Sequence, residues 1–252
     1  MSARVTRDPG TRLAEYLDQR RRIGEPAILP SGLEPGEMMT LLRKRGAVGA
    51  GAAQAAHPAV AAAAPEFASA DYDRLRNLAL ACTRCALAEG RRQVVFSDGN
   101  PEARLMVVGE APGAREDATG LPFVGQAGKL LDLMLAAVGL SREDSVYICN
   151  VLKCRPPGNR DPLPGEIESC APILKRQIEL VAPEVLLAVG SFAAQWLTST
   201  TGPLGKLRGK VYSYQGVPLV VTYHPAALLR NPGLNRLCWS DLQLLRQVMD
   251  GA

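Results

Sequence analysis

Four apolar, β-branched segments alternate with amphipathic helical patterns along the C-terminal two-thirds of the chain. The strand-like segments are 104–109, 146–151, 184–190 and 217–223. The helical patterns are 127–139, 165–181, 191–198 and a last one near 239–249. Strands that are apolar throughout and alternate with helices are typical of a parallel sheet covered on both faces. The sequence therefore predicts an α/β fold, a three-layer αβα sandwich around a mainly parallel four-stranded sheet.

Polar motifs follow three of these predicted strands. The run Gly-Glu-Ala-Pro-Gly (109–113) ends the first strand, Asn150 ends the second, and His224-Pro225 follows the fourth. In open α/β sheets the functional loops lie at the carboxyl ends of the strands. We therefore expect these three motifs to meet at one edge of the sheet.

The first 70 residues have a different composition. Segment 46–70 consists mostly of Ala, Gly and Pro with almost no charge, which predicts a flexible linker. Segment 12–23 places apolar residues on an otherwise charged helical pattern, typical of either a short docking helix or a solvated tail. The predicted organisation is an N-terminal extension (1–45), a linker (46–70) and one domain (71–252).

Net charge and targeting signals exclude few functions and locations for this chain. The chain has 29 Lys and Arg against 25 Asp and Glu, a formal net charge of +4, which neither indicates nor excludes nucleic-acid binding. The N-terminus has no apolar segment typical of a secretory signal, and no run is long and apolar enough to span a membrane. We therefore expect a cytoplasmic protein that does not enter membranes.

Four of the six cysteines have a spacing typical of metal ligands. Cys82 and Cys85 form a C-x2-C pair, Cys154 follows the second predicted strand, and Cys170 lies in the next predicted helix. Without an export signal, such cysteines bind metal more often than they form disulfides. Zinc and an iron–sulfur centre are both compatible with the spacing. The other two cysteines, Cys149 and Cys238, are expected to be packing residues.

Three long motifs together resemble the family 4 uracil-DNA glycosylases. They are 109–125 (GEAPGAREDATGLPFVG), 147–170 (YICNVLKCRPPGNRDPLPGEIESC) and 224–232 (HPAALLRNP). The resemblance covers about residues 72–250. It implies a monofunctional enzyme that hydrolyses the uracil N-glycosidic bond in single- or double-stranded DNA, and a monomer is expected. It also implies that Cys82, Cys85, Cys154 and Cys170 bind a [4Fe–4S] cluster, with zinc as the alternative.

Excision of uracil needs a flipped nucleotide, recognition of the base edge and stabilisation of the departing anion. His224, one of two histidines, is the natural donor to uracil O2. The carboxamide of Asn150 can donate to O4 and accept from N3–H, the reverse of what cytosine requires. By resemblance, Phe123 stacks on the flipped base.

The turn after the first strand is expected to hold the attacking water. By resemblance, Glu110 and the backbone at Ala111 and Gly113 surround this water. Some uracil glycosylase families have an Asp at the position of Ala111, so here Glu110 or the polar pocket itself must position the water. Glu116 is expected to crowd the C5 side of the base and exclude thymine.

The loop after His224 is expected to contact DNA. Leu228 and Leu229 are predicted to wedge into the base stack, as apolar side chains do in proteins that kink DNA, and Arg230 to contact a phosphate. Further cations with the same expected role are Lys153, Arg155, Arg160, Lys206, Arg208 and Lys210.

Three other functions are compatible with parts of the sequence. Some relatives bind uracil-DNA and become covalently trapped through a His-containing inserted loop, but segment 202–212 contains no His. A non-catalytic iron–sulfur DNA-binding or polymerase-associated module is the second alternative, and intact Glu110, Asn150 and His224 argue against it. Dinucleotide binding is the weakest, because GEAPG differs from G-x-G-x-x-G.

Overall fold

A six-stranded mixed sheet forms the centre of residues 65–251, the part of the chain that the computed structural model describes. The strands are β1 (Asp98–Gly99), β2 (Leu105–Gly109), β3 (Val146–Asn150), β4 (Val185–Val189), β5 (Val211–Tyr214) and β6 (Val217–Thr222). Their order across the sheet is β1-β3-β2-β4-β6-β5. The inner strands β3, β2, β4 and β6 are mutually parallel, and these are the four strands predicted from the apolar segments.

The two edge strands were not predicted, so the expected count of four strands is wrong. Strand β1 pairs antiparallel with β3. It has only two residues, so it is too short to produce a hydrophobic pattern. Strand β5 pairs antiparallel with β6 through a two-residue turn, Gln215-Gly216, in which both φ angles are positive. Such a turn matches the twist of a hairpin. Because β5 lies at an edge with alternate exposed residues, it lacks the continuous apolar run of the inner strands.

Ten helices are found among residues 65–251. They are α1 (Pro65–Ala68), α2 (Tyr72–Leu80), α3 (Leu87–Gly90), α4 (Ala114–Thr119), α5 (Gln126–Ala136), α6 (Pro164–Val181), α7 (Ser191–Thr198), α8 (Leu204–Leu207), α9 (Pro225–Arg230) and α10 (Asn235–Gly251). Short 3-10 turns lie at Pro157–Asn159 and Pro232–Leu234. No helix in this part of the chain has the length and apolar character needed to cross a bilayer.

Alternate residues of the inner strands face opposite layers, which confirms the predicted three-layer sandwich. Met106 and Val108 of β2 pack in one core with side chains of α6 and α7. Leu105 and Val107 pack in a second core with side chains of α5 and α10. Apolar side chains on both faces explain why these strands read as continuous hydrophobic segments.

Packing begins before the predicted domain boundary at residue 71. Phe67 and Ala70 are buried in a third core together with Leu75, Leu152 and Ile173. The Arg84 guanidinium also lies 5.4 Å from the centre of the Phe67 ring. One large apolar side chain therefore extends the domain into the Ala-rich segment 46–70. The predicted extension 1–45, its helix 12–23 and the linker up to residue 64 lie outside the described residues.

Candidate active site

A cleft with about 1260 Å³ of empty volume lies at the carboxyl ends of the inner strands. The expectation that the three polar motifs meet at one edge of the sheet is therefore confirmed. The predicted residues that line the cleft are Glu110, Ala111, Gly113, Glu116, Phe123, Asn150, Arg160, His224 and Arg230. Asp161 and Ser191 also line it, and neither was assigned a role from the sequence.

Phe123 forms an apolar wall of the cleft in a strained backbone conformation. Its φ angle is +54°, a value that residues other than glycine seldom adopt. The ring is 6% exposed and stacks on the His224 ring, with 5.5 Å between ring centres and 29° between planes. A Cβ atom at Gly109 would lie 2.5 Å from Phe123 Cζ and 2.3 Å from Asn150 Oδ1. Only glycine at 109 leaves room for both side chains.

Asn150 ends β3 with its side chain buried at 2% exposure. Its Oδ1 atom has no hydrogen-bond partner among residues 65–251. Its backbone carbonyl accepts a hydrogen bond of 2.6 Å from Lys153 Nζ, which fixes the end of the strand. An unpaired buried acceptor costs free energy unless something else satisfies it. The carboxamide is therefore suited to a ligand that brings its own N–H group.

His224 caps the N-terminus of α9, and its Nδ1 atom accepts a hydrogen bond of 3.2 Å from the Ala226 amide. This bond requires the neutral tautomer that carries its proton on Nε2. Burial, and to a smaller extent the Arg230 charge, lower the pKa of His224 to about 4, against an opposing effect of Glu116. Near neutral pH the imidazole is therefore an uncharged hydrogen-bond donor.

Glu110 is a half-buried carboxyl group at the turn after β2. Burial, and secondly the nearby charge of Asp161, raise the pKa of Glu110 to about 7. A carboxyl group with this pKa exchanges a proton near neutral pH, as a general base does. Asp161 lies in the quoted motif 147–170, but its effect on Glu110 depends on proximity in space, which the sequence does not encode.

Glu116 holds the loop that carries Phe123. Its Oε1 atom accepts hydrogen bonds from the amides of Val124, at 3.0 Å, and Gly125, at 2.9 Å. One carboxylate oxygen is thereby engaged with the protein backbone. The predicted exclusion of thymine by Glu116 stays a prediction.

The two leucines of α9 have different environments. Leu228 is 3% exposed and belongs to the core beneath the helix, so its predicted insertion into DNA is wrong for this arrangement. Leu229 is 51% exposed, and Arg230 beside it is also exposed. Adjacent residues of a helix point in directions about 100° apart, so Leu228 can face the core while Leu229 and Arg230 face solvent. The candidate DNA contact is therefore Leu229 with Arg230.

Three of the other predicted phosphate contacts are engaged within the protein. Lys153 is 1% exposed and donates to the Asn150 carbonyl. Arg160 pairs with Glu166 at 2.6 Å, and Arg208 pairs with Asp241 at 2.8 Å. Buried or ion-paired cations are poorly available to DNA, so their predicted role is wrong for Lys153 and weakened for the two arginines.

The four predicted ligand cysteines line a second, narrow cavity. Cys82 and Cys85 come from the segment between α2 and α3, Cys154 from the loop after β3, and Cys170 from α6. Arg91 Nη1 donates to Cys154 Sγ, and the Lys153 amide donates to Cys170 Sγ, both at 3.3 Å. Donors aimed at sulfur are typical of the surroundings of metal-bound thiolates.

The four predicted ligand cysteines lie apart from the two remaining cysteines. Burial raises the pKa of Cys170 to about 12, so a metal must displace its proton on binding. Among residues 65–251 no three His, Cys, Asp or Glu side chains are arranged to hold a single metal ion. Cys149 and Cys238 are buried in the two main cores, as predicted.

All residues that line the cleft lie within a segment that matches a known protein family. A family model described as the uracil DNA glycosylase superfamily matches residues 96–243. The type-4 uracil-DNA glycosylase of Archaeoglobus fulgidus is 45% identical over 179 residues, 67% of this chain and 88% of the relative. The type-4 uracil-DNA glycosylase of Thermotoga maritima is 44% identical over 166 residues, 64% of this chain and 86% of the relative. That of Pyrobaculum aerophilum is 42% identical over 184 residues, 69% of this chain and 92% of the relative.

Proposed function

Because the chain belongs to the uracil DNA glycosylase superfamily, we propose that it removes uracil from DNA by hydrolysing the N-glycosidic bond, as the first step of repair. One observation carries the proposal beyond family membership. The unpaired Oδ1 of Asn150, the Phe123 ring and the Nε2–H of a neutral His224 all lie in one cleft. This set provides an acceptor for N3–H, a stacking surface and a donor to O2, which together match uracil.

Bond cleavage follows from these placements. The base flips into the cleft and stacks on Phe123 while Asn150 binds its edge. The C1′–N1 bond breaks, and its electron pair passes to uracil, where negative charge collects on O2 opposite His224 Nε2–H. A water oxygen then bonds to C1′, and Glu110 accepts the water proton. Uracil and an abasic site are the products.

Leu229 and Arg230 are proposed to support the flipped state. The exposed Leu229 side chain fills the space that the base leaves in the stack, and Arg230 contacts a flanking phosphate. Both residues lie on the short helix that His224 caps, so binding of DNA against this helix also places the catalytic donor.

Release of free uracil tests the proposed function directly. The protein is incubated with single- and double-stranded oligonucleotides that contain one uracil, and free uracil and abasic sites are measured. We expect both products without added metal. Intact uracil-DNA after incubation with excess protein would contradict the proposal, and an adduct stable to denaturation would favour covalent trapping instead.

The pH dependence of excision is predicted to depend on Glu110. With a pKa of about 7, this group loses its base form as the pH falls, so the rate should decline below about pH 7. The Glu110→Gln variant should be slower by about 10²-fold and lack this decline. His224→Ala should be slower but keep it, since the pKa of His224 is about 4. Single-turnover rates from about pH 5 to about pH 9 test both statements.

The raised pKa of Glu110 also predicts how the stability of the fold changes with pH. Burial raises the folded-state pKa of Glu110 above its unfolded value, so its protonated form favours folding and this contribution is lost as pH rises through about 7. Glu110→Gln, which stays neutral, should therefore gain stability relative to the wild type more at pH 8 than at pH 5. An equal change in melting temperature at both values would contradict the assigned pKa.

Cys82, Cys85, Cys154 and Cys170 are proposed to bind a [4Fe–4S] cluster. Four cysteines line one cavity, and four thiolates are the usual ligand set of such a cluster. A bound cluster would supply bonds that join the segment before α3, the loop after β3 and α6, whereas hydrolysis itself requires no electron transfer.

Substitution of one ligand tests the cluster. Cys170→Ala should lose the visible absorption, iron and sulfide of the purified protein and lower its melting temperature, because the bridge between α6 and the rest of the cavity is lost. Cys238→Ala is the matched control, since Cys238 is buried away from the cavity. Zinc in a colourless wild-type protein would contradict the proposal.

A further inference from the structure

The strained loop between α4 and α5 is held from two sides through its backbone. On one side, Glu116 accepts hydrogen bonds from the amides of Val124 and Gly125. On the other side, Arg142 donates to the carbonyl of Pro122 from Nη1 and to that of Phe123 from Nη2, each at 2.8 Å. Four consecutive residues, 122–125, are thus fixed through main-chain groups.

Arg142 is itself rigidly anchored. Its Nη1 atom donates to Asp98 of β1 at 2.8 Å, and its Nε atom donates to Asp132 of α5 at 3.0 Å. The guanidinium group therefore bridges β1, α5 and the loop, and two carboxylates balance its charge. An arginine whose donors are all engaged in this way is unsuited to binding a DNA phosphate. We therefore expect Arg142 to act on the loop and not on DNA.

Helix α5 packs closely against the backbone of Phe123. The close approach of α5 is such that a Cβ atom at Gly128 would lie 1.7 Å from the Phe123 carbonyl oxygen. The positive φ angle of Phe123 persists only where surrounding contacts determine it. In this conformation the ring rests over Gly109 and stacks on His224.

We propose that Arg142 is a positioning residue for uracil recognition, which holds Phe123 in its left-handed backbone conformation so that one ring packs on His224 and faces the base. This role rests on the proposed stacking function of Phe123. It assigns a catalytic consequence to a residue outside the cleft, since Arg142 does not line it. Without Arg142 the loop relaxes, the ring leaves its place, and His224 loses its apolar cover.

Kinetics distinguish positioning from simple stabilisation. Arg142→Met should lower the single-turnover excision rate by about tenfold or more and weaken substrate binding, because small displacements of binding groups have large effects on rate. Arg104→Met is the matched control, since Arg104 pairs with Glu184 at the opposite ends of the strands. Arg142→Met loses two ion pairs and Arg104→Met loses one, but the control should keep its rate within about twofold.

A double-mutant cycle shows whether Arg142 acts through Phe123. In a Phe123→Ala background, the further change Arg142→Met should alter the rate by less than about twofold, because the ring that Arg142 positions is already absent. The Arg142→Lys variant keeps the charge toward Asp98 and Asp132, but its three N–H groups are too few for both carboxylates and both carbonyls. It should recover thermal stability more fully than excision rate. Additive effects in the cycle would overturn the proposal.

Nuclear magnetic resonance of His224 provides a readout independent of activity. The chain has two histidines, so a His57→Ala background leaves the His224 ring as a single set of signals. In Arg142→Met these signals should move toward those of Phe123→Ala as the ring current is lost, and the pKa of His224 should rise from about 4. The charged groups that act on His224, Arg230 and Glu116, are unchanged in this variant.

The two possible failures are distinguishable. If the wild-type protein releases no uracil while the His224 signals still respond to Arg142→Met, the proposed function is wrong but the positioning of Phe123 stands. If uracil is released and neither the His224 signals nor the excision rate respond, Arg142 has no positioning role.

Discussion

Replacement of His224 by Ala is expected to lower the rate of uracil excision by about 10²–10³-fold at neutral pH, the usual effect of removing one pre-placed donor to a developing anion. The Nε2–H of this residue is fixed because Nδ1 already accepts from the Ala226 amide. The donor is therefore oriented before the bond breaks and needs no rearrangement during the reaction. Single-turnover excision with saturating protein measures the effect without interference from product release.

Two further variants make this prediction specific. His57→Ala removes the other histidine and should leave the rate unchanged. His224→Gln, whose amide N–H reaches about as far as Nε2, should recover part of the loss if the active form is a neutral imidazole. Equal rates for His224→Ala and His224→Gln would indicate that the residue acts by shape alone. A wild-type rate that rises as pH falls toward 4 would indicate the charged form instead.

The inner layers of the fold were predictable because their physical cause is repeated along the sequence. The strands β2, β3, β4 and β6 are buried on both faces. Their sequences are therefore continuous runs of mainly apolar residues. The motif resemblance, confirmed by the family match, then located the cleft at the ends of these strands. The edge strand β5 escaped prediction because one side of it meets solvent.

The contacts between side chains of distant segments were not predictable from sequence. Leu228 and Leu229 are identical in type and adjacent, and only the orientation of α9 makes one core and the other exposed. Likewise, the pKa of Glu110 is raised first by burial and then by Asp161, which lies about fifty residues away in the sequence. Arg142 lies in an unremarkable polar loop, and its role depends on where β1, α5 and the Phe123 loop converge.

Asn150→Ala is expected to lower uracil excision by about 10³-fold, because a site built to hydrogen-bond a base edge loses both its donor and its acceptor. The carboxamide is buried and no group among residues 65–251 binds its Oδ1, so the bond to N3–H replaces no bond within the described protein. Asn159→Ala is the matched control, since Asn159 also lines the cleft but its Oδ1 is engaged by Arg155.

The isosteric change Asn150→Asp tests base selectivity separately from rate. A carboxylate cannot donate to uracil O4, but it can accept from the amino group of cytosine, so the variant should lose uracil excision and gain relative activity on cytosine. Release of each base from matched oligonucleotides gives the ratio. The change in the ratio should be largest at high pH, because burial beside Phe123 and Gly109 raises the pKa of the new side chain and its neutral acid can still donate to uracil O4. An unchanged uracil-to-cytosine ratio in Asn150→Asp, together with less than a tenfold loss in Asn150→Ala, would assign base recognition to another residue of the cleft.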